Sequence, residues 1–304
     1  MTAPIQLRPD DPALWVGQRS TSPGRRARNA LASAWMIGAV AIALVPVGLI
    51  VGFVAIKGAK VMSWGFLSKN LPFASEFAGG GIWPAIGGTM LLTATAAAMA
   101  VPLGVLAAVY LTEYGRGGPL AKTVRFMSDV MTGVPSIVMG LFIALIWVSA
   151  GLHRGYSTFA GALALGCLML PIVIRSSEEM LKLVPDEMRQ ASEALGARRS
   201  RTVLRVVLPA ALPGIVSGAM LAIARAAGET APLLFTIGTS KVLNTELFHK
   251  TNTALPQEIW NNAQQPFTAA QDRAWGAALT LIMLVFVCTL IARLVAARFS
   301  RLET

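Results

Sequence analysis

The chain has 304 residues, of which 55% are hydrophobic and 13% charged, with a formal net charge of +11. That balance lies outside the range of soluble domains and reads as an integral membrane protein. The basic excess is a topology signal rather than a nucleic-acid patch, because it sorts by side of the membrane.

The first 33 residues are polar, proline-containing and basic, a composition that builds no core and predicts a disordered tail. Six apolar runs of membrane-crossing length follow, over 34–56, 85–111, 128–150, 158–174, 209–237 and 274–294. The first is too long for a signal-peptide core and reads as a retained anchor. The loop over 57–84 ends in Gly79, Gly80 and Gly81, which read as a tight turn rather than an anion-binding nest. Pro135 kinks or begins the third run, and the backbone groups it frees place that segment inside a bundle. After the fifth run, a polar loop carries a short amphipathic helix near 257–263, and residues 298–304 form a tail. The core is thus expected over 85–297.

Counting Lys and Arg by loop puts 18 on the side of the N-terminal tail and 7 on the other, with Arg225 inside a run. The rule that basic loops stay inside places both termini in the cytoplasm.

Between the fourth and fifth runs lies a basic, amphipathic segment, 185–208. Pro185 suits a first helical turn, Asp186 and Glu187 suit the positive end of a helix dipole, and Met188, Ala191 and Leu195 recur at helical spacing. Gly196 stops that helix, and a second basic turn from Arg198 to Arg205 leads to Pro209. The spacing predicts a cytoplasmic helix-turn-helix, which a lipid-embedded protein needs when something outside the membrane docks on it.

The fifth run holds Arg225 and Glu229, four residues apart in an apolar helix. An arginine near the centre of a membrane helix costs roughly 2.5–3.5 kcal/mol, whereas an i,i+4 ion pair returns only about 0.2–0.5 kcal/mol in water. Gly214, Gly218, Leu221, Arg225, Glu229 and Pro232 fall on one helical face, small and polar enough to line a helix interface or an aqueous path. Thr230 adds a hydroxyl beside them. Cys167, Cys288, His153 and His249 are scattered over separate spans and loops and form neither a metal site nor a disulfide framework.

Gln190-Ala191-Ser192, Gly196 and Leu208-Pro209 resemble the EAA loop of bacterial ATP-binding-cassette importer permeases. Gln190 stands where that family carries glutamate and Ser192 where it carries alanine. A contact with the ATPase then falls to a neutral hydrogen bond from Gln190, or to Glu187 or Glu193. Three further stretches, 79–89, 133–142 and 223–235, are similar to the permeases of phosphate importers.

The resemblance implies an all-α type I importer fold of six spans in the bacterial inner membrane. It implies a phosphate importer containing a second homologous permease, a dimer of cytoplasmic ATPases that bind ATP and Mg, and an extracytoplasmic phosphate-binding protein. This chain would bind no cofactor, and it carries no phosphate-loop motif of its own. Arg225, Glu229 and Thr230 would line the pathway, and Glu187, Gln190, Ala191, Glu193 and Gly196 would couple to the ATPase, with no catalytic residue. The alternatives are the same machine carrying sulfate, molybdate or phosphonate, a secondary anion transporter using Arg225 and Glu229, and a membrane scaffold.

Overall fold

The computed structural model describes residues 23–115, 117–149 and 155–300. The described residues are helical with connecting turns and loops, and they divide into two compact units, one ending at Phe53 and one beginning at Val54.

Helix α1 runs over Pro23–Ala59, so the expected disordered tail is corrected from Pro23 onward; residues 1–22 lie outside the described residues. Pro23 has the fixed φ that suits a helix start, and the Arg- and Ala-rich run behind it has high helix propensity. Within the loop expected over 57–84, a short helix α2 forms over Trp64–Ser68, capped by the Ser63 hydroxyl accepting from the Phe66 N–H at 3.1 Å. The glycine run after it is a turn, as expected: Gly79 and Gly80 have φ of 91° and 74°.

Helix α3, Trp83–Val109, continues through a wide π turn over Tyr110–Tyr114. Its partner is α6, Thr158–Lys182, and the two form the centre of the fold. Small residues let the backbones close up: a side chain at Gly104 would meet Val173, and one at Gly161 would meet Leu92 and Ile237. Leu92, Ala96 and Ala100 of α3, with Leu165, Met169 and Val173 of α6, fill the shared layer. Helix α6 outruns the expected 158–174. Its last two turns are carried by charged pairs at helical spacing, Arg175 with Glu179 and Lys182 with Glu178, which an apolar-run criterion does not follow.

The third run is not one helix. Helices α4, Pro119–Gly133, and α5, Ser136–Ile143, meet at an angle of 106° across Val134 and Pro135, and a wide turn over Ala144–Ser149 extends α5. Pro135 has no N–H to donate and disfavours helical geometry at Val134, so the chain turns there.

Helix α7, Asp186–Ala194, is followed by α8, Arg199–Thr202, a wide turn over Val203–Val207, and α9, Leu208–Ala227. The pieces from Arg199 to Ala227 form one membrane-length helix of 29 residues. Pro209 therefore does not begin the span; the wide turn just before it absorbs the missing N–H and the ring clash. The expected run to residue 237 breaks after Ala227. Gly228 caps α9, Pro232 blocks resumption until α10, Leu233–Thr236, and Gly238 turns the chain with φ of 69°. Helix α11 covers Leu255–Ala263, and α12 runs over Thr268–Ser300, longer at both ends than the expected 274–294. Residues 301–304 lie outside the described residues.

Among the described residues, five helices are long and apolar enough to cross a membrane, and the bent α4–α5 pair makes a sixth if counted as one span. At the end opposite α7, the 238–267 segment packs into the bundle. The Thr89 hydroxyl accepts from the Leu255 N–H at 2.8 Å, and Asn252, fully buried, donates to the Thr158 hydroxyl at 3.1 Å. Gly88 makes that docking possible, because a Cβ there would stand 1.8 Å from the Thr253 carbonyl oxygen. Gly88→Val is therefore expected to destabilise the protein by about 3 kcal/mol, read as a lower thermal midpoint in detergent. Gly133→Ala, with nothing within 4 Å of the new atom, should leave the midpoint unchanged.

Candidate functional site

Among the described residues, three sets of polar residues stand out: one where α7 and α8 meet the membrane helices, one at the interruption of α9, and one at the end opposite α7. In the first set, helix α7 exposes the stripe read as apolar. Met188 is 42% and Leu195 90% exposed, and Ala191 is exposed between them, so the stripe faces away from the chain. Glu187, Gln190 and Glu193 are exposed on the same element. Gly196 has φ of 79°, the left-handed conformation that terminates a helix, and it turns the chain into α8. The Ser192 hydroxyl lies 2.9 Å from the Thr202 hydroxyl and braces α7 against α8, a contact that alanine at 192 could not make.

Arg189 points the other way. Its Nε and Nη2 donate to Glu113 Oε1 at 3.2 and 2.9 Å, Nη2 also donates to the Leu181 carbonyl at 3.0 Å, and Nη1 donates to the Val184 carbonyl at 2.6 Å and to Asp186 Oδ1 at 3.2 Å. Glu113 is buried on the π turn that ends α3. Arg199 of α8 donates to the Glu113 carbonyl and lays its guanidinium over the Tyr114 ring, 5.4 Å from the centroid. Arg125 of α4 donates to the Leu111 carbonyl at 3.2 Å and to Glu178 at 2.9 Å, and Lys182 meets the same Glu178 oxygen at 2.8 Å. Three arginines from three helices thus cap the carbonyls and carboxylate at the end of α3. Sequence reading missed Glu113, Arg125 and Glu178: each lies at the edge of an apolar run, and the ion pairs Arg125–Glu178 and Arg189–Glu113 join residues 53 and 76 positions apart. The excess of opposite charges at the ends of the second and fourth runs was the available signal.

In the second set, Arg225 occupies the last turn of α9, where the negative end of the helix dipole favours a cation. Its Nε lies 3.7 Å from Glu229 Oε1. Glu229 and Thr230 stand in the interruption rather than on the helix, so the expected single face divides. Gly214 and Gly218 pack against Met180 and Ser176 of α6, while Leu221 and Arg225 open outward. The Arg225 side chain is 69% exposed and that of Glu229 22%. The interruption is packed on α5: a Cβ on Gly140 would stand 2.5 Å from the Pro232 Cα. Two of the family-like stretches therefore touch. An open groove of about 740 Å³ runs along α9 below Arg225, between α6 and α12, with Ser176, Glu179, Ser217 and Arg293 among its polar lining.

A third cluster lies at the opposite end. Glu258, buried, accepts from the Thr253 hydroxyl at 2.9 Å and from Asn262 at 2.8 Å. Arg273 beside it ties down the 70s loop through the Phe77 and Ser75 carbonyls, at 2.7 and 2.5 Å. Burial pushes the Glu258 carboxyl up from the ordinary 4.5, against the lowering pull of the two hydrogen bonds and of Arg273 and Lys241. His249 lies near Glu246 in the same loop region, and His153 lies outside the described residues.

A carboxyl raised in the folded state holds its proton longer there than in the unfolded chain. Its contribution to stability is fully present below 4.5 and is lost as pH rises through the folded value. The thermal midpoint should therefore fall as pH rises above 4.5, and Glu258→Gln should shrink that fall. An equal fall in both proteins would remove Glu258 as the cause.

Residues 100–302 match the family described as binding-protein-dependent transport system inner membrane component. The chain is 43% identical over 299 residues to phosphate transport system permease protein PstA 1 of Mycobacterium tuberculosis, covering 96% of each. It is 38% identical to phosphate transport system permease protein PstA of Yersinia pestis, covering 95% of this chain and 97% of that one. In fold it is similar to a chain of an inward-facing MetNI methionine transporter, with a TM-score of 0.56 at 20% identity over 72% of this chain and 94% of that one. It is also similar to a chain of a bacterial alginate importer, with a TM-score of 0.59 at 14% identity over 90% and 99%.

Proposed function

The chain belongs to the family of binding-protein-dependent transport system inner membrane components, and from that premise we infer that it is the membrane-spanning permease subunit of a bacterial inner-membrane phosphate importer. The observation that carries the cargo is the identity to phosphate permeases along nearly the whole chain. A permease of this kind has no ATPase site of its own and works with an ATPase and a substrate-binding partner. We take the complete machine to contain a second, homologous permease and two ATPase copies that bind ATP and Mg and hydrolyse ATP. The count of basic residues supports cytoplasmic termini, which puts α7 and α8 on the ATPase side.

The exposed ridge of Met188, Ala191 and Leu195, with Glu187, Gln190 and Glu193 around it and Gly196 at its tip, is the surface we assign to the ATPase. Gln190 contributes a neutral hydrogen bond there. ATP-driven closure moves this element, and the motion enters the membrane along the continuous helix from Arg199 to Ala227. At its far end, Arg225 is too exposed on the isolated chain to face lipid, given the roughly 2.5–3.5 kcal/mol penalty for an arginine at depth. It faces instead an aqueous path completed by the second permease. There it meets the phosphate oxyanion transiently, since a strong permanent site would slow release. Glu229 accepts a hydrogen bond from a protonated phosphate oxygen, which fully ionised sulfate cannot donate, and Thr230 adds a hydroxyl beside it. An ATPase-docking surface has no use in a secondary transporter, which disfavours that alternative.

Radiolabelled phosphate uptake at low external phosphate tests this reading, with sulfate uptake as the control. Losing one hydrogen bond to a charged group in Arg225→Ala should lower phosphate uptake about ten- to hundredfold, with the complex still assembled. Glu229→Gln should reduce phosphate uptake and narrow the preference for phosphate over sulfate. Unchanged phosphate uptake in a strain lacking this chain and any other phosphate importer would overturn the cargo, and dependence of sulfate uptake on the chain would reassign it.

A further inference from the structure

The docking element is joined covalently to the membrane helices through α6 on one side and α9 on the other. A third attachment is made without a covalent link, at the end of α3. The Arg189 guanidinium has five N–H donors, and all its nitrogens are engaged: Nε and Nη2 on Glu113, Nη2 on the Leu181 carbonyl, Nη1 on the Val184 carbonyl and on Asp186. Its side chain is 14% exposed and that of Glu113 5%, so the pair is shielded from water and salt. The second arm grips the same place, with Arg199 on the Glu113 carbonyl and over Tyr114. Glu113 is therefore held through its side chain by α7 and through its backbone by α8.

We propose that Glu113 and the π turn around it are a second drive point, through which displacement of the docking element is delivered to α3 as well as to α9, with Glu113 and Arg189 acting as positioning residues for coupling. The proposal rests on the permease reading above. Two further observations support it. The docking element meets both driven helices at wide turns, Tyr110–Tyr114 on α3 and Val203–Val207 on α9, and an extra residue in a turn lets a helix shift register without losing its hydrogen-bond ladder. Beyond those turns, α3 and α9 share one packed layer, where Leu92, Ala96 and Ala100 join Ala222 and Ala226, on either side of Arg225 at the end of α9. Moving both helices from one element displaces the two sides of that layer together, whereas pulling α9 alone would shear it. A guanidinium also carries tension where a lysine would not, because its planar fork fixes direction as well as charge.

The test uses the whole importer, with both permeases, ATPase and binding protein, reconstituted in phospholipid vesicles, and reads phosphate internalised per ATP hydrolysed. The unaltered complex comes first: if it internalises no phosphate, the permease reading fails, independently of the drive point. Given transport, Glu113→Gln, Arg189→Lys and the double variant are compared in complexes shown by co-purification to hold all subunits. A drive point predicts that each single variant lowers phosphate per ATP about tenfold and that the double variant is no worse than either single one. Tyr114→Leu, which alters a half-exposed ring and buries nothing new, should give a smaller loss of the same kind. An unchanged ratio in Glu113→Gln, or losses that multiply in the double variant, would overturn the proposal. So would loss of assembly in both Glu113→Gln and Tyr114→Leu, which would make the turn a structural staple.

Discussion

Backbone polar groups in an apolar medium must be satisfied inside the protein, and that requirement organises this chain more than any single contact. A continuous helix meets it alone, and an interrupted one does not. Among the described residues, two helices are interrupted, at Val134–Pro135 and at Gly228–Pro232, and the interruptions are brought against protein. Gly140 accepts Pro232 at a distance no side chain would allow. Beyond it, the Thr236 carbonyl accepts from the Ser157 N–H at 3.1 Å and the Ile237 carbonyl from the Asn252 N–H at 3.1 Å. The end segment with Asn252, Thr253 and Glu258 is buried for this reason: it supplies donors and acceptors to a bundle whose helices stop short. The polar interruption beside Arg225 obeys the same constraint, since irregular backbone inside a membrane survives only where protein covers it.

The helices that do run through are packed by small residues rather than large ones. Lipid tails are as apolar as leucine, so apolar burial gives little net drive between membrane helices, and close backbone approach replaces it. Gly88, Gly104, Gly161, Gly214 and Gly218 each have a neighbour that a Cβ would strike. Charged capping at one end of the bundle, polar burial at the other and small-residue packing between divide the work of holding it together.

Much of this was legible in the sequence because hydropathy, proline and glycine act locally. The six runs, the Pro135 break, the Gly79–Gly81 turn, the helix near 257–263 and the Gly196 stop each depend on neighbours within a few positions. Boundaries failed where charge continued a helix, as in the last turns of α6, or where propensity overrode polarity, as at Pro23. The single face through Arg225, Glu229 and Pro232 failed because Gly228 and Pro232 together end the helix that the face presupposed. The Glu113 junction was out of reach for a different reason. Its meaning lies in three arginines brought together by α4, α7 and α8, and no spacing in the chain encodes that meeting.

The helix from Arg199 to Ala227 is about 43 Å long at the usual rise per residue. A strut of that length, held at both ends, is a two-way wire. On the proposed reading of its two ends, linkage requires that whatever docking at one end does to anion affinity at the other is returned in equal measure by the anion. An anion held at the Arg225 end would then change the grip at the docking end by the same factor, so cargo and partner would each report the other across the whole length of the helix.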